Sequence, residues 1–199
     1  MATKPSWAST SPSSGSGNGT VGVSGSAHTG RTQRTGTLTY KATGVNDVEQ
    51  GLTQEAKPEF VTVNNVSAAK VGGNVTITGT SNSSKLTFSL GNGDIVISLP
   101  GNYLAGGATT ANGANIAGDP GASAQYNFSI EIAVPANGTI AAISKQVIVT
   151  ANGGQQATST ISQPAGDPTL SVSPPSIIIP ADGTAVTVTV TSNTNWTVS

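Results

Sequence analysis

A shift of 109 residues lays several segments of this sequence on one another without gaps, and no other feature limits the possible folds as strongly. Gly36-Thr-Leu-Thr-Tyr-Lys-Ala-Thr-Gly44 falls on Lys145-Gln-Val-Ile-Val-Thr-Ala-Asn-Gly153, apolar on apolar and turn glycine on turn glycine. Leu52-Thr-Gln54 falls on Ile161-Ser-Gln163, and one residue later Pro58-Glu-Phe60 matches Pro168-Thr-Leu170 loosely. Thr80-Ser-Asn82 likewise resembles Thr191-Ser-Asn193. The repeat is about 110 residues long, and its phase divides the 199 residues unevenly. Residues 58–166 form one whole unit, 1–57 match only the second part of a unit, and 167–199 match only the first part. The expectation is one complete domain and one split domain whose halves flank it.

Within these units the periodicity is that of strands. Val186, Val188 and Val190 point one way and Thr187 and Thr189 the other, which gives a strand one buried and one wet face. The same alternation predicts strands over 36–41, 60–63, 74–80, 86–90, 95–99, 126–134, 146–150, 158–162, 176–179 and 185–191. Turn residues such as Gly91-Asn-Gly-Asp94 and Asn152-Gly-Gly154 separate them. Helix is excluded by composition, because 25 glycines and 11 prolines stand among abundant Ser, Thr and Asn. Short strands at this spacing predict an all-β sandwich or barrel. The stretch 101–124, mostly Gly, Ala, Asn and Thr, is longer than a usual sandwich loop and reads as a flexible tip or as an arm that lies on a partner.

Charge and chemistry narrow the function. Eight basic residues against nine acidic ones leave no basic footprint, so neither nucleic acid nor an anionic membrane surface is an expected partner. There is no cysteine for thiol chemistry or disulfides. The only histidine, His28, lies in a Ser-Ala-His-Thr-Gly turn without a nucleophile motif and reads as loop filler. The carboxylates are scattered singly, which disfavours a glycosidase pair or a calcium loop. No enzyme, cofactor or metal is expected. The N-terminal residues contain no apolar run of signal-peptide length, so synthesis in a cytoplasm without export is the expectation.

The residues that carry the repeat also resemble a known family. Leu170-Ser-Val-Ser-Pro174, Ala181-Asp-Gly183, Val186-Thr-Val-Thr-Val-Thr-Ser-Asn193 and Trp196-Thr-Val198 look like the first half of a BACON domain. Trp7, the Ser/Gly-rich run 11–19, Arg34-Thr-Gly-Thr-Leu-Thr39 and Thr53-Gln54 look like the second half. The central unit lacks the tryptophans and the Ser/Gly-rich turn and is a more distant relative. BACON domains are immunoglobulin-like modules, and the resemblance implies β-sandwiches of about seven strands. It associates them with gut Bacteroidota, with crAss-like phages that infect those bacteria, with carbohydrate or mucin binding and with phage structural proteins. It does not imply catalysis.

A half-sandwich of 33 residues is too small to fold alone. Residues 167–199 must find the complementary half, either within the same chain or on a neighbouring copy, and the expected separation of residues 58 and 166 by a strand length favours the neighbour. Trp7, Trp196, Val186, Val188, Val190, Leu38 and Tyr40 are the residues expected in the core or assembly contact of the split domain. The resulting expectation is a non-enzymatic virion component, a bacteriophage capsid decoration or head-fibre protein. Its partners would be other copies of itself, a major capsid protein and, weakly, host glycan. The alternative is a carbohydrate-binding or adhesion module of a surface or secreted protein.

Overall fold

A computed structural model describes residues 4–199, and it is all-β, with no helix among the described residues. Residues 61–163 build two sheets. The first has five strands in the order β10 (Ala108–Ala111), β9 (Asn102–Ala105), β11 (Tyr126–Val134), β7 (Gly73–Ser81), β5 (Val61–Val63). The second has four, in the order β6 (Val66–Ser67), β13 (Gln156–Gln163), β12 (Ile143–Ala151), β8 (Leu86–Gly93). The other strands form two-stranded sheets: β1 (Ala8–Ser11) with β2 (Gly22–Gly25), β3 (Arg34–Tyr40) with β4 (Val48–Gln54), and β14 (Leu170–Ser173) with β15 (Thr189–Ser192).

The alternation seen in the sequence explains how the two larger sheets pack. β11 turns Phe128, Ile130, Ile132 and Val134 inward, β7 adds Val75 and Ile77, and β8, β12 and β13 face them with Leu86, Phe88, Val147, Val149 and Ile161. These side chains form one continuous core. At about 1.5–3 kcal/mol for each large apolar side chain fully buried, this cluster is the principal source of stability. Phe88 anchors it, with Tyr103 at 4.8 Å in a tilted contact and Phe128 at 5.9 Å edge-on.

The stretch 101–124 is not a free tip. β9 and β10 form a hairpin that extends the first sheet beyond β11, and Tyr103, Ala105 and Ile116 are buried in the core. Gly106 and Gly107, both at positive φ, make the tight turn between its two strands. Residues 95–99 make no ladder, yet Ile95 and Ile97 are buried and Val96 is exposed, so the expected alternation survives without the pairing.

Two other expected strands also depart from expectation, for one physical reason. Pairing begins only at Thr189 in the predicted strand 185–191, and the predicted strand 176–179 pairs with nothing. In the central unit the equivalent segments are held by β11 and by β13. Among the described residues no strand occupies those places beside β14 and β15.

Tyr126 seals one end of the core, its hydroxyl donating to the carbonyl of Ser83 at 2.8 Å. Burial raises its pKa well above the ordinary tyrosine value, and burial raises that of Tyr103 too, opposed by a hydrogen bond to the Leu86 backbone. Raised folded-state values mean that the contribution of these groups is intact below about pH 10 and is lost as the pH climbs further. Tyr126→Phe is therefore expected to cost about 1 kcal/mol at neutral pH and to flatten the loss of stability above pH 10, read by denaturant unfolding across pH.

Candidate assembly interfaces

The flanking segments attach to the central unit at opposite poles. Ser81 pairs with Tyr126 at one end of the β7–β11 ladder and Gly73 with Val134 at the other, so the poles are about 27 Å apart at 3.4 Å per residue.

At the first pole Asn82, fully buried between Ser81 and Ser83, is the organising side chain. Its Oδ1 accepts from the Phe60 backbone at 3.0 Å, and its Nδ2 lies within hydrogen-bond reach of the carbonyls of Thr29, Lys57 and Pro58. The Ser81 hydroxyl donates to Phe60 O at 2.7 Å. Alongside, Arg31 N and Thr32 N donate to the carbonyls of Gly121 and Ala122 at 2.8 and 2.7 Å. The Arg31 guanidinium pairs with Asp119 at 2.6 Å. Gly121 must be glycine here, because a Cβ would collide with the Asn82 carbonyl.

The second pole repeats this arrangement. Asn193 Oδ1 accepts from the Thr169 backbone at 2.8 Å, and its Nδ2 donates to Gly138 O and Asp167 O at 3.0 and 2.9 Å. The Ser192 hydroxyl donates to Thr169 O at 2.8 Å. Lys57 N donates to Gly30 O at one junction, and Gly166 N donates to Thr139 O at the other. Residues 28–60 thus correspond to 137–169 by the shift of 109, which sets Pro58 and Phe60 on Asp167 and Thr169 rather than on Pro168 and Leu170, and residues 72–84 correspond to 183–195 by a shift of 111. Gly72 and Gly183 mark the second correspondence, with φ of 81° and 76° and amides donating to Ala69 O and Pro180 O. His28 takes the place of Asn137: its Nε2 lies 2.7 Å from Thr32 O, as Asn137 Nδ2 lies 2.8 Å from Ala141 O. Its role is to pin a turn.

The residues expected in the split domain are divided between these poles. Leu38 in β3 is buried, whereas Tyr40 in the same strand is exposed, its hydroxyl donating to Gln50 at 2.8 Å. Trp7 is partly buried, with the Arg34 guanidinium 4.8 Å above its ring. Val190 pairs with Val172 across the β14–β15 ladder, but Val186, Val188 and Trp196 are exposed. Trp7 and Trp196 share no sheet, and β14–β15 is not hydrogen-bonded to any strand of the N-terminal segment. Among the described residues Ala8 and Leu38 are the buried apolar side chains outside the central core. The sequence repeat exposed Asn82 and Asn193 as matching positions, but only their contacts disclose that they join units.

Among the described residues no three His, Asp or Glu side chains lie close enough together to hold a metal ion. A scan against protein-family models finds no match for the chain, and a search among curated proteins finds no relative.

Asn82→Ala would leave Phe60 N and three carbonyls without this partner in a closed site, at a cost of about 3 kcal/mol. The expected outcome in denaturant unfolding is a loss of that size, with faster hydrogen exchange at the Arg31 and Thr32 amides. Asn193→Ala, at a more open junction, is expected to cost about 1 kcal/mol.

Proposed function

We propose that the protein is a non-enzymatic virion structural protein, a bacteriophage capsid decoration or head-fibre protein whose copies join through immunoglobulin-like units. One observation carries the assembly part of this reading: apolar side chains at opposite poles lie uncovered beside a central unit whose core is closed between its two sheets. Leu170, Val172, Val186 and Val188 are among the exposed apolar side chains at one pole, and Val21, Val23 and Tyr40 among those at the other. Each gains about 1 kcal/mol when its exposed half is covered, so on the order of 5–10 kcal/mol is available against the cost of association. Faces of this kind at opposite poles make a head-to-tail contact, which generates rings or chains. The placement in a phage particle rests on the resemblance to BACON domains. The low charge and the Thr/Ser/Asn surface suit a protein that packs beside many copies of itself.

A second reading, a carbohydrate-binding or adhesion module, is favoured by Trp196, whose ring is half-exposed, as a sugar-stacking platform would require.

Light scattering across a dilution series tests the assembly reading. The expected outcome is a mass that rises with concentration to multiples of 19.6 kDa, together with co-sedimentation on assembled capsid shells. A monomer at every concentration contradicts it. Quenching of Trp196 fluorescence by mucin oligosaccharides, abolished in Trp196→Ala, would favour the second reading instead.

A further inference from the structure

The central unit holds a template for the missing contact, and from it we infer that residues 184–188 of one copy add to the edge of β2 in a second copy, antiparallel, with Val186 opposite Val23 and Val188 opposite Val21. This rests on the head-to-tail reading and specifies its register.

The template is the β7–β11 ladder. There Val75 lies opposite Ile132 and Ile77 opposite Ile130, and all four are buried. The shift of 111 carries Val75 and Ile77 to Val186 and Val188, and the shift of 109 carries Ile132 and Ile130 back to Val23 and Val21. These four valines are 36–43% exposed, and residues 184–188 make no ladder in this chain. Apolar side chains at corresponding positions are therefore covered in one unit and open in the other, on segments that differ in having or lacking this partner strand.

Two further correspondences point to the same occupant. In the central unit β6 runs parallel to β13, with Val66 opposite Ile161 and Ser67 opposite Ser162. Counted back from the Ala69 and Pro180 carbonyls, their counterparts are Ile177 and Ile178 on one side, with Leu52 and Thr53 on the other, and Ile177 and Ile178 are exposed and unpaired. Gln163 Nε2 donates to Pro135 O at 2.8 Å and to Ala69 O at 2.9 Å, joining the two halves of the central unit. Its counterpart Gln54 Nε2 already donates to Ser26 O, the equivalent of Pro135 O, at 2.9 Å. The equivalent of Ala69 O is Pro180 O, which the partner copy would bring to Gln54. Antiparallel strand addition, parallel strand addition and an amide clamp thus require one and the same docking.

The absence of cysteine makes the register measurable. Ala185 and Ser24 correspond to Asn74 and Ala133, an opposed pair on the outer face of the template. Directly opposed Cα atoms are about 4.5–5.5 Å apart, within disulfide range, whereas a pair offset by two residues is separated by about 7–8 Å and is not. The chain carrying Ala185→Cys and Ser24→Cys is expected to give a covalent ladder of multimers on oxidation. The chain carrying Thr187→Cys and Ser24→Cys is expected to give at least tenfold less. Equal ladders, or a ladder from the offset pair alone, would overturn the register while leaving head-to-tail assembly standing. A disulfide closed within a monomer, or no cross-link in a chain that stays monomeric, would overturn both. Val188→Lys supplies an independent check, because it leaves the central core untouched. Its expected effect is at least a tenfold rise in the concentration of half-assembly with unchanged melting of the central unit, and unchanged assembly would overturn the inference.

Discussion

The antiparallel ladder between β7 and β11 is the contact on which the rest of this molecule depends. Its nine residue pairs line up two strands of the same alternation, so that Val75 and Ile77 share one buried face with Ile130 and Ile132. That face carries the second sheet, and its two ends define the poles where the flanking segments attach. A strand with one apolar face is stable only when something lies on that face and beside its edge. The central unit meets both conditions, and the segment 184–188 meets neither.

The junctions turn this local requirement into a directional one. Asn82 and Asn193 each tie a Ser-Asn corner to the linker strand and to a loop of the preceding segment, through matching donors and acceptors. A flexible linker would leave neighbouring units free to tumble, but a side-chain amide that spans linker and loop holds both in one orientation. Successive units joined in this way follow one another with a common geometry, which is what a regular chain or ring of subunits needs.

Much of this organisation can be read from the residues alone. Alternation located β11 at 126–134 and β7 to within one residue at either end, because those strands are apolar on one side and flanked by clear turns. The unpaired segments 176–179 and 185–188 have the same alternation, and no local pattern can report whether a partner strand is present. β9 and β10 were hidden for a different reason: each is only four residues long, and Tyr103 and Leu104 stand in a stretch otherwise dominated by Ala, Thr, Asn and Gly, which reads as turn. The repeat brought Asn82 and Asn193 into view as equivalents, but an asparagine in a Ser/Thr-rich corner looks like any turn residue until its four hydrogen-bonding positions are counted. Trp7 and Trp196 were legible as distinctive residues, and their separation onto opposite poles became visible only with the fold.

Hydrogen exchange at the amides of residues 184–188, followed across a dilution series, reads strand addition between copies at the strand itself. In the template the equivalent residues 73–77 lie within a continuous ladder. The expected result is exchange near the unprotected rate in dilute monomer and protection by at least a hundredfold in the assembled state, with residues 21–25 gaining protection over the same concentrations. Exchange at 184–188 that stays fast in the assembled state, or that is already slow in the monomer, would contradict it.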